Sequence, residues 1–401
     1  MDRLPMESAE LLTISRELKP WLVAVRRQLH MKPELGLEER ETAAAIEQWL
    51  DELGIASWRN GTAVIGLIRG TKPGTTVALR ADMDALPIQE GGHAAYRSKK
   101  AGLMHACGHD AHVAIQLGAA KVLQGMREGL CGNVKLLFQP AEETEGGALT
   151  MIRDGCLENP HVARVYGLHV MPHLPVGSIE LKKGVLMGSS TSLGIRISGK
   201  SAHGAYPETG IDAVLIAANV VLSLHALVGR CVSPLEEAVL SVGTIQGGVT
   251  SNILADLVEM RATLRTTSEA VRDDFLARIR LLVEDLPKAF GGSGALEVRH
   301  GYECLVNHDQ AVDAIEATAG ELLGRERITW KSKPSLGVED FAYFIKERPG
   351  AYYHLGCGNE ATGVTAPLHN SRFDIDEDCL VIGTAMQAGL AMRFLNEGSQ
   401  A

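Results

Sequence analysis

The sequence predicts an α/β fold, with a mostly parallel sheet covered by helices and a small inserted unit of ferredoxin-like β-α-β-β-α-β order. Two observations carry this expectation. Short apolar runs alternate with helix-period segments up to about residue 187, and the alternation returns after residue 300. Between those points the order changes to strand, helix, two strands, helix and strand.

Residues 21–30 and 38–53 carry apolar side chains at three- and four-residue spacing and read as helices. Pro20 suits the start of the first, and Gly54 suits the end of the second. Residues 63–69 and 76–80 read as strands, 111–126 as a helix, and 133–139 and 162–169 as strands. Such alternation favours parallel pairing with both sheet faces covered. The inserted unit reads as strand 192–198, helix 210–228, strands 238–246 and 257–266, helix 268–286 and strand 295–300. The economical organisation is one domain built from 1–186 and 302–401, with 187–301 inserted between its two segments. Three domains in series is the alternative.

Composition narrows the function classes. The 401 residues hold 39 Lys and Arg against 49 Asp and Glu, a formal net charge of -10. Nucleic acid, which rewards clustered basic side chains, is not an expected partner. A small-molecule substrate remains open, because a pocket can be basic inside an acidic protein. The first residues lack a basic stretch followed by an apolar core, so no signal peptide is expected. No run reaches the ~18 consecutive apolar residues of a membrane span. The most apolar stretch, 213–229, is broken by Asn219, Ser223 and His225 and suits a helix packed on a sheet. Seven scattered cysteines predict free thiols and a reducing, cytoplasmic setting.

The densest chemistry lies between His105 and His112, with one Cys, three His and one Asp. Thiolate and imidazole are preferred ligands of zinc and related ions. Cys107 and His109 stand two apart at a helix start, where the positive helix end favours a thiolate. The bland alternative is a helix start capped by Asp110 among ordinary loop histidines. Glu142 and Glu143 follow an apolar strand. Adjacent carboxylates repel unless a cation lies between them, and one ligand beside one general base is the functional division. A solvated acidic turn is the bland alternative. His169 ends another apolar strand, with His173 close behind. Asp82 and Asp84 project to one side of an extended chain and suit orienting imidazoles or holding an arginine. His369 lies in a late loop downstream of several glycines; taken alone it reads as an exposed loop histidine. A serine-nucleophile elbow and a phosphate-cradling loop are both missing from the sequence.

The segments LHMKPELGLEE, LRADMDALP, MHACGHDAH, QPAEE, GLHVMP and PLHN occur in this order. Together, over about residues 22–394, they resemble the metal-dependent aminoacylase and carboxypeptidase family. The match is to the branch with hippurate hydrolase, auxin–amino acid conjugate hydrolases and N-acetyl-diaminopimelate deacetylase. The resemblance implies two divalent ions per subunit, held by Cys107, His109, Glu143, His169 and His369. Zn or Mn suits that donor set best, with Co or Ni also accepted. It implies Glu142 as general base and acid, and Asp84 as a candidate to orient the site. It makes the inserted domain a lid and dimer contact, giving a homodimer or a larger homo-oligomer. His203 becomes the lid residue that reaches an active site, its own or the partner's, with Asn252 and Arg265 as further substrate contacts. The implied reaction is hydrolysis of an amide in an N-acyl amino acid or similar conjugate. In it Glu142 takes a proton from metal-activated water and returns it to the leaving amine, and a metal ion with His203 stabilises the oxyanion.

This chain departs from the family pattern in lid and substrate-facing regions. It has Ser-Ala-His-Gly-Ala around His203, Thr-Ser-Asn-Ile-Leu-Ala-Asp around Asn252, and Val338 where Ser is usual. No departure removes a ligand, so they bear on the substrate. A metal-dependent deaminase and a non-catalytic binding protein on the same fold are the competing readings.

Overall fold

The computed structural model describes residues 8–397. Contacts divide the chain into two compact units. The first takes the described parts of Met1–Gly184 and Asp340–Ala401 together with Val306–Lys333; the second takes Val185–Leu305 and Pro334–Glu339.

The first unit opens with α1 (Ser8–Glu17), α2 (Lys19–His30) and α3 (Arg40–Glu52). It continues with β1 (Ala56–Asn60), β2 (Ala63–Arg69), β3 (Lys72–Asp82), α4 (His109–Gly125) and β4 (Cys131–Gln139). Then come α5 (Gly147–Arg153), β5 (Arg164–Pro175) and β6 (Ile179–Leu181). The second unit holds β7 (Gly184–Met187), β8 (Ser189–Ser198), α6 (Ala213–Cys231), β9 (Ala238–Gly247), β10 (Leu257–Thr266), α7 (Glu269–Asp285) and β11 (Ser293–His300). The chain ends with β12 (Leu305–Asn307), α8 (Asp309–Leu323), β13 (Ile328–Trp330), α9 (Phe341–Glu347), β14 (Gly350–Gly358) and α10 (Asp378–Glu397).

The sheet of the first unit has eight strands in the order β1-β2-β4-β3-β5-β14-β6-β13. Its centre, β4-β3-β5-β14, is parallel. The pairs β1/β2, β2/β4 and β14/β6 are antiparallel. The pair β6/β13 is parallel as well, so the sheet is mixed, with four of its seven strand pairs parallel and antiparallel pairs toward the β1 edge and at β14/β6. The cause is local: only Gly61 and Thr62 separate β1 from β2, and so short a loop joins only antiparallel strands. The sequence pattern carries no sign of β1, because this edge strand is almost wholly exposed and lacks an apolar run. The core lies between the sheet and the helices α2, α4 and α10, with Leu79, Leu136, Tyr166, Leu168, Val170 and Tyr353 turned into it.

In the second unit the sheet order is β11-β8-β10-β9, every pair antiparallel. Along the chain its elements run β8-α6-β9-β10-α7-β11. The helices bury Ile216, Val220, Leu224, Phe275, Ile279 and Val283 against Leu193, Ile195, Met260 and Leu264. By length and mean hydropathy alone, α6 and α10 are apolar enough to cross a membrane, although neither is an unbroken apolar run. In α10 the apolar residues serve the core of the first unit. In α6, Asp212 caps the start by accepting from the Val214 and Leu215 N–H groups, and one face packs on its sheet.

Candidate metal centre

The site is built at the carboxyl ends of the central strands, where ligands collect in open α/β sheets. β3 ends at Asp82, β4 ends just before the Pro140–Gly147 loop, and α4 starts at His109. β5 does not stop at His169, as the pattern predicts, but runs on to Pro175. Its pairing with β3 ends at Gly167, so His169 lies where β3 has left β5.

The turn into α4 requires Gly108. It holds φ 84°, and a Cβ there would strike Val170. Gly108, not Asp110, is the N-cap of α4. Asp110 is buried within the first turn and binds Arg26 Nε at 2.8 Å and His30 Nδ1 at 2.7 Å. The loop of His369 closes onto the same turn, since its N–H donates to Ala106 O at 2.8 Å.

These placements gather the predicted ligands of the first unit. The donor atoms of Cys107, His109 and His169 lie within 4.8 Å of one another. So do those of Cys107, Glu143 and His369, and those of His109, Glu142 and Glu143. Cys107 Sγ stands 3.3 Å from His169 Nε2, and His369 Nε2 stands 3.0 Å from Glu143 Oε1. Asp84 does not join this group directly. Its Oδ1 lies 3.1 Å from His109 Nδ1, and its Oδ2 accepts the Glu143 N–H at 2.9 Å. Asp84 therefore acts through its neighbours, fixing the His109 ring so that Nε2 points into the cluster.

The chemistry of the donors fits divalent cations. His109 Nε2 is buried and has no hydrogen-bond partner among the described residues. It faces Asp82 Oδ2 at 3.6 Å and Glu143 Oε1 at 4.0 Å. Burial alone would depress the His109 pKa, yet the carboxylates of Asp82, Asp84 and Glu143 carry it up to about 10. Burial, with Glu143 and Glu142 adding, pushes the Cys107 thiol well above its usual range. Buried negative charge in excess, around a thiol and an unpartnered imidazole nitrogen, is what divalent ions would balance.

Two residues that pattern alone did not assign, His112 and Arg80, complete the support. His112 Nε2 accepts the Val170 N–H at 2.9 Å, so its Nδ1–H faces Asp82 Oδ1 at 2.5 Å. With both nitrogens engaged, His112 holds the strand beside His169 and is not a free ligand. Arg80, fully buried, donates to Asp82 at 2.6 Å, Asp340 at 2.9 Å and Gln139 at 2.8 Å. Burial opposes the ionised form of Asp82, but Arg80 with His109 and His112 holds its pKa well below the carboxylate range. A charged residue inside a buried strand was the available signal for Arg80, and the dense motif for His112.

The other predicted residues belong to the second unit. His203 is exposed; its Nδ1 accepts the Ala205 N–H at 3.0 Å. Asn252 is exposed beside it, joined through the Gly204 N–H to Asn252 O bond at 2.8 Å. Arg265 lies on β10, half-buried, and burial lowers its pKa. Thus His203 and Asn252 share one loop pair, and Arg265 stands on the sheet.

Fold and donor set together define a metal-binding hydrolase of the α/β class. The chain belongs to the M20 peptidase family: residues 78–393 match the model of peptidase family M20/M25/M40. It is 36% identical to thermostable carboxypeptidase 2 of Saccharolobus solfataricus, over 95% of this chain and 97% of that protein. It is likewise 36% identical to N-acetyl-L-cysteine deacetylase of Bacillus subtilis, over 98% and 94% of the two chains. The crystal structure of the YXEP protein of Bacillus subtilis, a dinuclear metal-binding peptidase of the M20 family, superposes with a TM-score of 0.84. It is 32% identical, over 95% of this chain and 99% of that one.

Proposed function

We propose that the protein hydrolyses the amide bond of an N-acyl amino acid or similar small conjugate, using two divalent ions and Glu142. The observation that carries this reading is the set of overlapping donor groups Cys107–His109–His169, Cys107–Glu143–His369 and His109–Glu142–Glu143, the last of which brings the Glu142 carboxylate to the cluster. Relatives named as a carboxypeptidase and an N-acetyl-amino-acid deacetylase support the bond type. Zn or Mn suits the mixed thiolate, imidazole and carboxylate donors, with Co or Ni accepted as well.

Bound ions would polarise the amide carbonyl and acidify the attacking water. Glu142, buried beside its ligand neighbour Glu143, takes the water proton and delivers it to the departing amine nitrogen. Asp84 keeps His109 and Glu143 aligned. His203, Asn252 and Arg265 are proposed to bind the substrate, His203 stabilising the oxyanion from its own or a partner's subunit. In this reading the second unit is a ferredoxin-like lid and dimer contact. Support comes from its exposed apolar residues: Leu215 and Leu222 of α6, and Val239 and Ile245 of the edge strand β9. Seven free cysteines support residence in the cytoplasm.

Glu142→Gln is expected to keep its metal content and lose at least ~10²-fold in kcat, the lower range for a proton-transfer group. Retained turnover removes the assignment. The parallel assay offers acetyl, benzoyl and indole-acetyl amino acids with Mn and with Zn. Free amino acid is the expected product; ammonia in its place indicates deamination.

A further inference from the structure

The segment Leu35-Gly36-Leu37-Glu38-Glu39 has no part in the ligand set, yet it lies against the loop that carries Glu142 and Glu143. Gly36 makes the closest approach. A Cβ on Gly36 would fall 3.0 Å from Ala141 Cα and would strike Thr144 Oγ1. Glu39 is fully buried, and both of its carboxylate oxygens are engaged. Oε1 accepts the Ala141 N–H at 2.8 Å, and Oε2 accepts the Thr62 hydroxyl at 2.9 Å.

Ala141 is the residue immediately before Glu142, and it holds φ 54°. That left-handed conformation is disfavoured for any residue with a Cβ. It persists only where the surroundings impose it. Ala141 O closes the loop by accepting the Gly146 N–H at 2.9 Å. On the far side of Glu142, Asp84 accepts the Glu143 N–H at 2.9 Å. Two carboxylates therefore hold the N–H groups of the residues on either side of Glu142, Glu39 at Ala141 and Asp84 at Glu143.

We propose that Glu39 is a positioning residue that holds Ala141 in its left-handed conformation and thereby aims Glu142 and Glu143. It does so through the backbone, touching neither water nor substrate. Without the Glu39 acceptor, Ala141 relaxes to an ordinary φ and the following two side chains rotate away from their stations. This inference rests on the proposed roles of Glu142 and Glu143.

The test compares Glu39→Ala, Glu39→Gln and the double variant Glu39→Ala with Ala141→Gly. Full-length metal-loaded protein is assayed for kcat, KM and metal retention under chelator titration. Glu39→Ala is expected to lower kcat roughly tenfold or more, with KM changed less than about twofold, and to release metal at lower chelator. Glu39→Gln keeps an acceptor for Ala141 N–H and a partner for Thr62, and stays within about threefold of wild type. Glycine adopts the left-handed conformation without penalty, so Ala141→Gly restores kcat several-fold over Glu39→Ala alone. A purely structural role for Glu39 predicts no such rescue.

Wild-type kcat and metal retention in Glu39→Ala overturn the proposal. So does Glu39→Gln as damaged as Glu39→Ala, or a double variant without recovery. Should Glu39→Ala not fold, Glu39→Asp serves in its place, because its shorter side chain cannot span the bond to Ala141. Glu142→Gln runs alongside. Turnover retained there defeats the proposed function itself; turnover lost there, with Glu39→Ala unaffected, defeats only the positioning role of Glu39.

Discussion

The polar groups of the two units are organised in opposite ways. In the first unit, the buried residues Arg80, Asp82 and His112 are bonded at 2.5 to 2.6 Å and Asp84 and His109 at 3.1 Å, with His109 3.6 Å from Asp82 between the two groups. In the second, His203 and Asn252 are exposed, with only local bonds: His203 Nδ1 accepts the Ala205 N–H, and Asn252 Oδ1 accepts the Thr250 hydroxyl. The difference teaches where specificity of each kind resides. The proposed ligands are held by many neighbours, whereas the proposed substrate contacts His203 and Asn252 sit on an exposed surface. The departures from the family pattern around His203 and Asn252 fall in the second class.

The strongest way to break the contrast is at Asp82. Asp82→Ala leaves the His112 Nδ1–H without its acceptor and Arg80 with one fewer carboxylate. Removing one partner of a buried charge pair costs about 3–5 kcal/mol. The midpoint of urea unfolding should fall accordingly, in both metal-loaded and chelated protein, and metal stoichiometry should fall with it. A loss below about 1 kcal/mol in the chelated protein means that the network is not the scaffold described.

Legibility in the sequence followed the same division. Strand–helix alternation showed the centre of the sheet and the order of the second unit's elements, because buried strands and amphipathic helices leave periodic patterns. It missed β1, an exposed edge strand with nothing to bury. Cys107 and His109 stood out by density alone. His369 did not: only the fold brings its loop to the α4 turn, through one backbone bond to Ala106. Glu39 was equally invisible, because its role depends on a left-handed alanine more than a hundred residues away. Long-range hydrogen bonds have no periodic signature.

A sharper version of the comparison uses acid. Glu180 of β6 accepts from His354 Nδ1 at 2.8 Å and lies 3.4 Å from Lys331 Nζ. The His354 hydrogen bond, with Lys331 adding, outweighs burial and brings the carboxyl down from 4.5 to about 2. A depressed carboxyl stabilises the fold above its unfolded pKa and loses that contribution as pH falls through the folded one. Wild type should therefore lose stability more steeply than Glu180→Gln between pH 4.5 and about 2. Thermal melts across that window decide it; parallel slopes for the two proteins remove Glu180 from the account.

The smallest effect is expected where the second unit has its own charge pair. Arg196 of β8 and Glu259 of β10 face each other across the strands, with Arg196 Nη2 at 2.6 Å from Glu259 Oε1. Their side chains are 62% and 56% exposed, so water competes for both charges and salt screens them. Holding two long side chains in one geometry also costs rotamer freedom. Exposed pairs of this kind contribute roughly 0–1 kcal/mol. Glu259→Gln should shift the unfolding midpoint by no more than that, and the shift should vanish in high salt. The pair matches the Arg80–Asp82 contact in length, since both lie at 2.6 Å, yet the expected costs differ several-fold. A loss above about 2 kcal/mol in Glu259→Gln would mean that bond length, and not burial, sets the strength of ion pairs in this protein.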